Sequence, residues 1–389
     1  MVILSTLFAM LLSIFIAALV VSLLVCIALI RTQHLHARLS MDNSSGVQKF
    51  HVNPTPRIGG VPLFLGVLLA ALVSQLAHDH VGKLFGNLLL ASIPVFLAGL
   101  TEDMTKRVSP LWRLLAAFTS AGLAAWLSGC ILPKLGIIGV DYLLQIFPAV
   151  AVLFTVFAVG GVCHSINIID GYNGLMGGVV LSVTGALAYV SLAVGDLPLL
   201  AVCLALAGGI LGFLVWNFPK GMIFAGDAGA YLAGFMLAEL AVLLVARHPG
   251  VVSPWFPFLV LIYPVFETIF SIWRKKFLRK MSPGLPDGLH FHMLVYKRLV
   301  RWMVGSREVS HLTRRNSLTA PYLWGVALFS ITPALLLWKV EWALQVSAIL
   351  FVIGYVWVYR RLVTFRAPRA LVLRKNLSNV KLGRGVYRK

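Results

Sequence analysis

The chain has 389 residues, of which 59% are hydrophobic and only 12% charged. A mean hydropathy of +0.91 excludes an ordinary soluble domain, and the recurring apolar runs of about 20 residues read as an all-α polytopic membrane protein. The formal net charge of +20 would suggest nucleic acid as the partner of a soluble protein, but here the charges are placed as a topology signal.

Eleven membrane spans are predicted, at 2–30, 58–77, 84–100, 112–130, 142–163, 175–194, 197–216, 228–246, 253–273, 318–338 and 342–360. The first run, Val2 to Ile30, exceeds a signal-peptide core and lacks a basic leader, so it is expected to be an uncleaved span with the N-terminus outside. In that orientation 29 of the 33 lysines and arginines face inward, and only Lys83, Lys134, Arg247 and Lys339 do not. The positive-inside rule then places the C-terminus and the loops 31–57, 101–111, 164–174, 217–227 and 274–316 in the cytoplasm. Residues 1–362 are expected to form one integral-membrane catalytic domain, and 363–389 a basic tail. That tail suits anionic lipid headgroups, and no nucleic-acid partner is expected. The cysteines Cys26, Cys130, Cys163 and Cys203 have neither metal nor disulfide spacing.

The inner loops hold nearly all the unusual chemistry. In chain order they carry Pro56-Arg57-Ile-Gly59-Gly60, then Thr101-Glu102-Asp103 with Lys106, then Asn167-Ile-Ile-Asp170-Gly171-Tyr-Asn173-Gly174. Next come Asn217-Phe-Pro219 with Phe224-Ala-Gly226-Asp227-Ala-Gly229, and finally Asp287-Gly-Leu-His290-Phe-His292. Each piece has a plain reading: an N-cap, a solvated acid pair, a packing amide, a turn. Together, carboxylates beside Lys and His at one membrane face suggest a divalent cation handling phosphates, with glycines letting backbone amides approach anions. Two acids lie deeper. Glu239 is expected to pair with a neighbouring helix, and Glu267 to support the site structurally.

These motifs, in this order, resemble those of the polyprenyl-phosphate N-acetylhexosamine-1-phosphate transferases. That family includes enzymes initiating O-antigen and enterobacterial common antigen synthesis and the phospho-MurNAc-pentapeptide translocase. The likeness runs from Asn53 to Lys297. Departures are Glu102, Asn173 and Glu267 where the family has Asp, Ala230 for Ser, and Met293 for the last His. The shorter histidine motif is closer to the initiating-sugar branch.

The resemblance implies transfer of an N-acetylhexosamine-1-phosphate from a UDP-amino sugar to undecaprenyl phosphate, with release of UMP, at the cytoplasmic face of a bacterial inner membrane. It implies Mg²⁺, with Mn²⁺ as a substitute, on Asp227 and Asp103. Catalytic roles fall to Glu102, Asp103, Asp170, His290 and His292, and substrate binding to Lys106, Asn167, Asn173, Asn217 and Asp287. The 274–316 loop is expected to fold over the site. Family members can form homodimers through membrane helices. Two other readings stay open: a transporter or lipid flippase, whose sites lie at the bilayer midplane, and an inactive member acting as an assembly scaffold.

Overall fold

A computed structural model describes residues 2–42, 54–77, 79–282, 287–300 and 309–366. Lys49, Asn53, Arg301, Arg307 and the basic tail beyond Arg366 lie outside the described residues. The architecture is all-α. It begins with α1 (Val2–Arg31) and α2 (Gln33–Ser40), then the short antiparallel pair β1 (Met41–Asp42) and β2 (Thr55–Pro56). Then follow α3 (Gly60–Ala77), α4 (Asp79–Thr105), α5 (Pro110–Ser128), α6 (Val140–Ile146), α7 (Pro148–Ile169), α8 (Leu175–Ala193) and α9 (Leu197–Asn217). The chain continues with α10 (Gly226–Arg247), α11 (Trp255–Val260), α12 (Ile262–Trp273), α13 (Phe291–Leu294), α14 (Val309–Leu337) and α15 (Glu341–Val363).

Among the described residues ten helices are long and apolar enough to cross a membrane, one fewer than expected. The difference lies at 253–273, which is broken at Leu261 into α11 and α12. Pro264 explains the break. It has no N–H to offer the carbonyl of Val260, and its ring crowds that carbonyl.

The bundle is organised around α10, whose apolar window is wholly buried. Helices α3, α4, α5, α7, α8 and α9 pack around it. A helix that is apolar or small on every face belongs in such a position. Glu239 is the acid in the middle of α10. Its Oε1 is buried without a partner among the described residues, so the expected ion pair with a neighbouring helix is not formed. At one end of the bundle Asp196 caps α9 through Leu199 N–H at 3.1 Å and holds Arg247 and His248.

Several expected loop boundaries move. Helix α4 runs on to Thr105 and α7 to Ile169, so Glu102, Asp103 and Asn167 stand on last helical turns rather than in loops. Helix α14 begins at Val309, inside the expected 274–316 loop. Hydropathy marks where the apolar stretch ends, whereas the backbone ladder continues through polar residues. The helices thus lift these side chains to the bundle end on rigid supports.

Candidate active site

The site is built on the first turn of α10. The opening amides of a helix have no partner within it. Asp103, fully buried at the end of α4, supplies one from outside. Its Oδ1 accepts the N–H of Asp227 at 2.8 Å and its Oδ2 that of Ala228 at 2.9 Å. Charge-assisted bonds of this kind contribute about 1.5–3 kcal/mol each, and the carboxylate also meets the positive end of the helix dipole. The approach requires two glycines. A Cβ on Gly99 would lie 2.6 Å from the Ala228 backbone, and one on Gly226 (φ +69°) would lie 2.2 Å from the Arg57 carbonyl.

The Pro56–Gly60 turn is stitched to the loop before α10. Gly59 N–H donates to Phe224 O at 2.8 Å, Gly60 N–H to Ala225 O at 2.9 Å, and Phe224 N–H to Pro56 O at 2.8 Å. This fixes Arg57 between two acids. Its Nη2 lies 3.0 Å from Asp103 Oδ1 and 3.2 Å from Asp227 Oδ1. Burial works against the Arg57 cation, but the charges of Asp103 and Asp227 outweigh it and raise its pKa.

Asp227 is the meeting point. Arg113, one turn into α5, pairs with its Oδ2. Asn167, on the last turn of α7, donates Nδ2 to its Oδ1 at 3.2 Å. One turn further along α10, the Tyr231 hydroxyl lies 3.3 Å from His164 Nδ1. Asp170, just past α7, accepts no hydrogen bond among the described residues. Burial pushes its carboxyl up to about 7; the charge of Asp227 adds to the rise and Arg57 opposes it.

A second group comes from the segment between α12 and α13. Asp287 is buried and bound by Arg274 at 2.6 Å and Arg279 at 2.9 Å. Burial alone would raise its pKa, but the two guanidiniums lower it. Glu267 Oε1 takes His290 Nδ1 at 2.9 Å and Phe291 N–H at 3.1 Å, a supporting position of the kind expected from the sequence. The His290 and His292 rings stack at 5.2 Å. His292 lies across the Asp170 turn, with its ring 5.7 Å from that of Tyr172. A Cβ on Gly171 would lie 3.5 Å from its Nε2. Burial pushes His292 down to about 3, with His290 adding to the effect, so it is neutral near pH 7. The described part of the 274–316 loop thus folds over the Asn167–Gly174 turn.

The remaining expected residues have partners within the protein. Asn217 Oδ1 accepts Gly174 N–H at 2.6 Å and its Nδ2 donates to Ile223 O at 2.8 Å, so both polar ends are spent joining two loops. Asn173 donates Nδ2 to Pro219 O at 3.1 Å. Both Asp287 oxygens face arginines rather than open space. Lys106 Nζ reaches the Met41 carbonyl at 2.9 Å, tying the end of α4 to β1. Glu102 accepts Val108 N–H at 2.8 Å and closes the turn into α5. The sequence reading missed Arg57 and Arg113 as partners of the acids. Arg113 carries a signal, since a cation inside an apolar span needs a buried counter-charge.

Asp227 and Asp170 carry hard oxygens of the kind Mg²⁺ takes, close enough that the charge of Asp227 acts on the Asp170 carboxyl. Asp103 spends both oxygens on the α10 amides and Asp227 is held by Arg57, Arg113 and Asn167, which leaves Asp170 as the acid of this group that accepts no hydrogen bond among the described residues. Among the described residues no group of three His, Cys, Asp or Glu is placed to hold a metal by itself.

Residues 85–245 match the model of glycosyl transferase family 4. The chain is 30% identical over 255 residues to an undecaprenyl-phosphate alpha-N-acetylglucosaminyl 1-phosphate transferase of Thermotoga maritima, covering 66% of this chain and 72% of that one. It is 31% identical over 311 residues to a decaprenyl-phosphate N-acetylglucosaminephosphotransferase of Mycobacterium leprae, covering 72% and 73%. A probable undecaprenyl-phosphate N-acetylglucosaminyl 1-phosphate transferase of Bacillus subtilis is 28% identical over 296 residues, covering 74% and 75%. With these relatives matched over most of their length, and the motif residues converging on one end of the bundle, the chain belongs to glycosyl transferase family 4, among the polyprenyl-phosphate N-acetylhexosamine-1-phosphate transferases.

Proposed function

We propose that the chain transfers N-acetylhexosamine-1-phosphate from a UDP-sugar to a polyprenyl phosphate and releases UMP. The observation that carries the reading is Asp227, a carboxylate on the first turn of a buried helix where Arg57, Arg113 and Asn167 converge. An oxygen of the lipid phosphate attacks the β-phosphorus of the donor. The bond from that phosphorus to the oxygen bridging the two phosphates breaks, and UMP leaves with the electron pair. Both reactants are anionic, so lowering their repulsion is the first requirement. Arg57 and Arg113 supply fixed positive charge beside the acids. Asp227 and Asp170 would hold Mg²⁺, which would supply further neutralisation of the diphosphate. Asp103 holds the α10 turn in place. His290 and His292 supply hydrogen bonds to the transferred phosphate, and Asn167 orients Asp227. The lipid phosphate has a second pKa of about 6 and is mostly ionised at pH 7, so deprotonating the nucleophile is a small part of the barrier.

The orientation that suits this chemistry puts the site at the cytoplasmic face of a bacterial inner membrane, with the N-terminus outside, as the 29 inward basic residues favour. Initiation of a lipid-linked surface glycan such as O-antigen is the matching role. The test is Asp227→Asn in membranes that hold folded protein. Mg²⁺-dependent UMP release is lost, whereas turnover like the wild type would remove Asp227 from the centre of the site.

A further inference from the structure

The last described helix lies outside every motif that marks the site, yet two of its side chains reach into it. Tyr355 and Tyr359 stand one turn apart on α15, both buried. The Tyr355 hydroxyl donates to Glu267 Oε2. The other oxygen of Glu267 holds the His290 ring at 2.9 Å and the Phe291 N–H at 3.1 Å. The Tyr359 hydroxyl donates to the Leu289 carbonyl at 3.1 Å and accepts Arg274 Nη1 at 2.9 Å. The Tyr355 ring also packs on that of Phe291 at 4.8 Å.

Leu289, His290 and Phe291 are therefore each gripped by α15 directly or through Glu267. The grip matters for chemistry because an imidazole has two distinct nitrogens. An ionised carboxylate can only accept, so Glu267 draws a proton to His290 Nδ1 and leaves Nε2 for another partner. Glu267 is 1% exposed and carries no other anchor for Oε2 than Tyr355 among the described residues. Without the hydroxyl, that oxygen would be buried unpaired, and the carboxylate would be free to turn away from the ring.

We propose that Tyr355 is a positioning residue of the transfer reaction, acting through Glu267 to fix the direction and tautomer of His290. The proposal rests on the transferase reading for its kinetic consequence, and its structural content is testable without it. Tyr355→Phe keeps the ring that packs on Phe291 and removes only the hydroxyl. In this variant kcat falls about tenfold while KM for donor and acceptor stays within about twofold, the pattern of a misaimed group rather than lost binding. In a Glu267→Gln background the same change adds little, because the two residues act as one unit. Additive losses, or a change confined to KM, would overturn the proposal. The second arm is hydrogen exchange on the purified full chain in detergent. The Phe291 amide exchanges faster in Tyr355→Phe, while amides of α10 keep their protection. Unchanged protection at Phe291 would also overturn it. If no donor supports transfer by the wild type, the transferase reading falls, and the exchange arm still decides the clamp.

Discussion

Asp103 caps the backbone of Asp227: its Oδ1 accepts that residue's N–H at 2.8 Å. One acid of the site is thus the cap of the helix that carries the other. Arg57 then bridges the two carboxylates, and a buried charge set of this kind is costly to break on one side only, by about 3–5 kcal/mol.

This relationship separates two adjacent acids. Asp103→Ala removes two helix-capping bonds and leaves Arg57 under-compensated, so both folding and turnover suffer. Glu102→Ala removes one loop bond to Val108 and is the milder change. Thermal unfolding and UMP release measured on both variants check the order. Equal and complete losses would show that Glu102 also acts on substrate or metal.

Asp170 sets a pH dependence. Its carboxyl is pushed up to about 7, so activity that uses the ionised form rises with pH through that value. Asp170→Asn lowers the rate and flattens this limb. Stability runs the opposite way. The folded carboxyl keeps its proton to about 7 while the unfolded one ionises near 3.8. Its contribution is full below the lower value and is lost as pH rises through the upper one. Unfolding of metal-free wild type and Asp170→Asn followed between about pH 4 and pH 8 isolates this term, with the loss falling below about pH 7.

Gly99 tests the packing that brings the acids together. A Cβ there meets the Ala228 backbone at 2.6 Å, with no flexible side chain to yield. Gly99→Ala is expected to cost about 1–3 kcal/mol by overpacking and to lower the midpoint of thermal inactivation in detergent. An unchanged midpoint would mean that α4 and α10 pack less closely than described.

Asn217 distinguishes a staple from a ligand. Both ends of its amide bond backbone groups of the 167–174 and 217–226 segments. Asn217→Ala is expected to lose about 1–3 kcal/mol of stability through unpaired buried groups. A variant of full stability with a donor KM raised alone would return Asn217 to direct substrate contact.

Much of this organisation was legible in the chain. Hydropathy located the spans, and glycines beside acids located the loop before α10. Other parts were not. Hydropathy ended the seventh helix before Asn167, because the apolar stretch stops where the backbone ladder does not. Pro264 broke one span that composition read as continuous. Arg113 reads in the sequence as a topology charge, although its partner is Asp227, 114 residues away. Tyr355 and Glu267 are 88 residues apart on helices with no shared motif, so only the tertiary fold joins them.

The most direct measurement uses purified full-length protein with polyprenyl phosphate, Mg²⁺ and a panel of UDP-N-acetylhexosamines. Both the released nucleotide and the lipid product are read. The expected result is UMP and a lipid-linked sugar diphosphate in equal amounts with at least one donor. Release of UDP instead, or no turnover by folded protein with any donor, would contradict phosphosugar transfer.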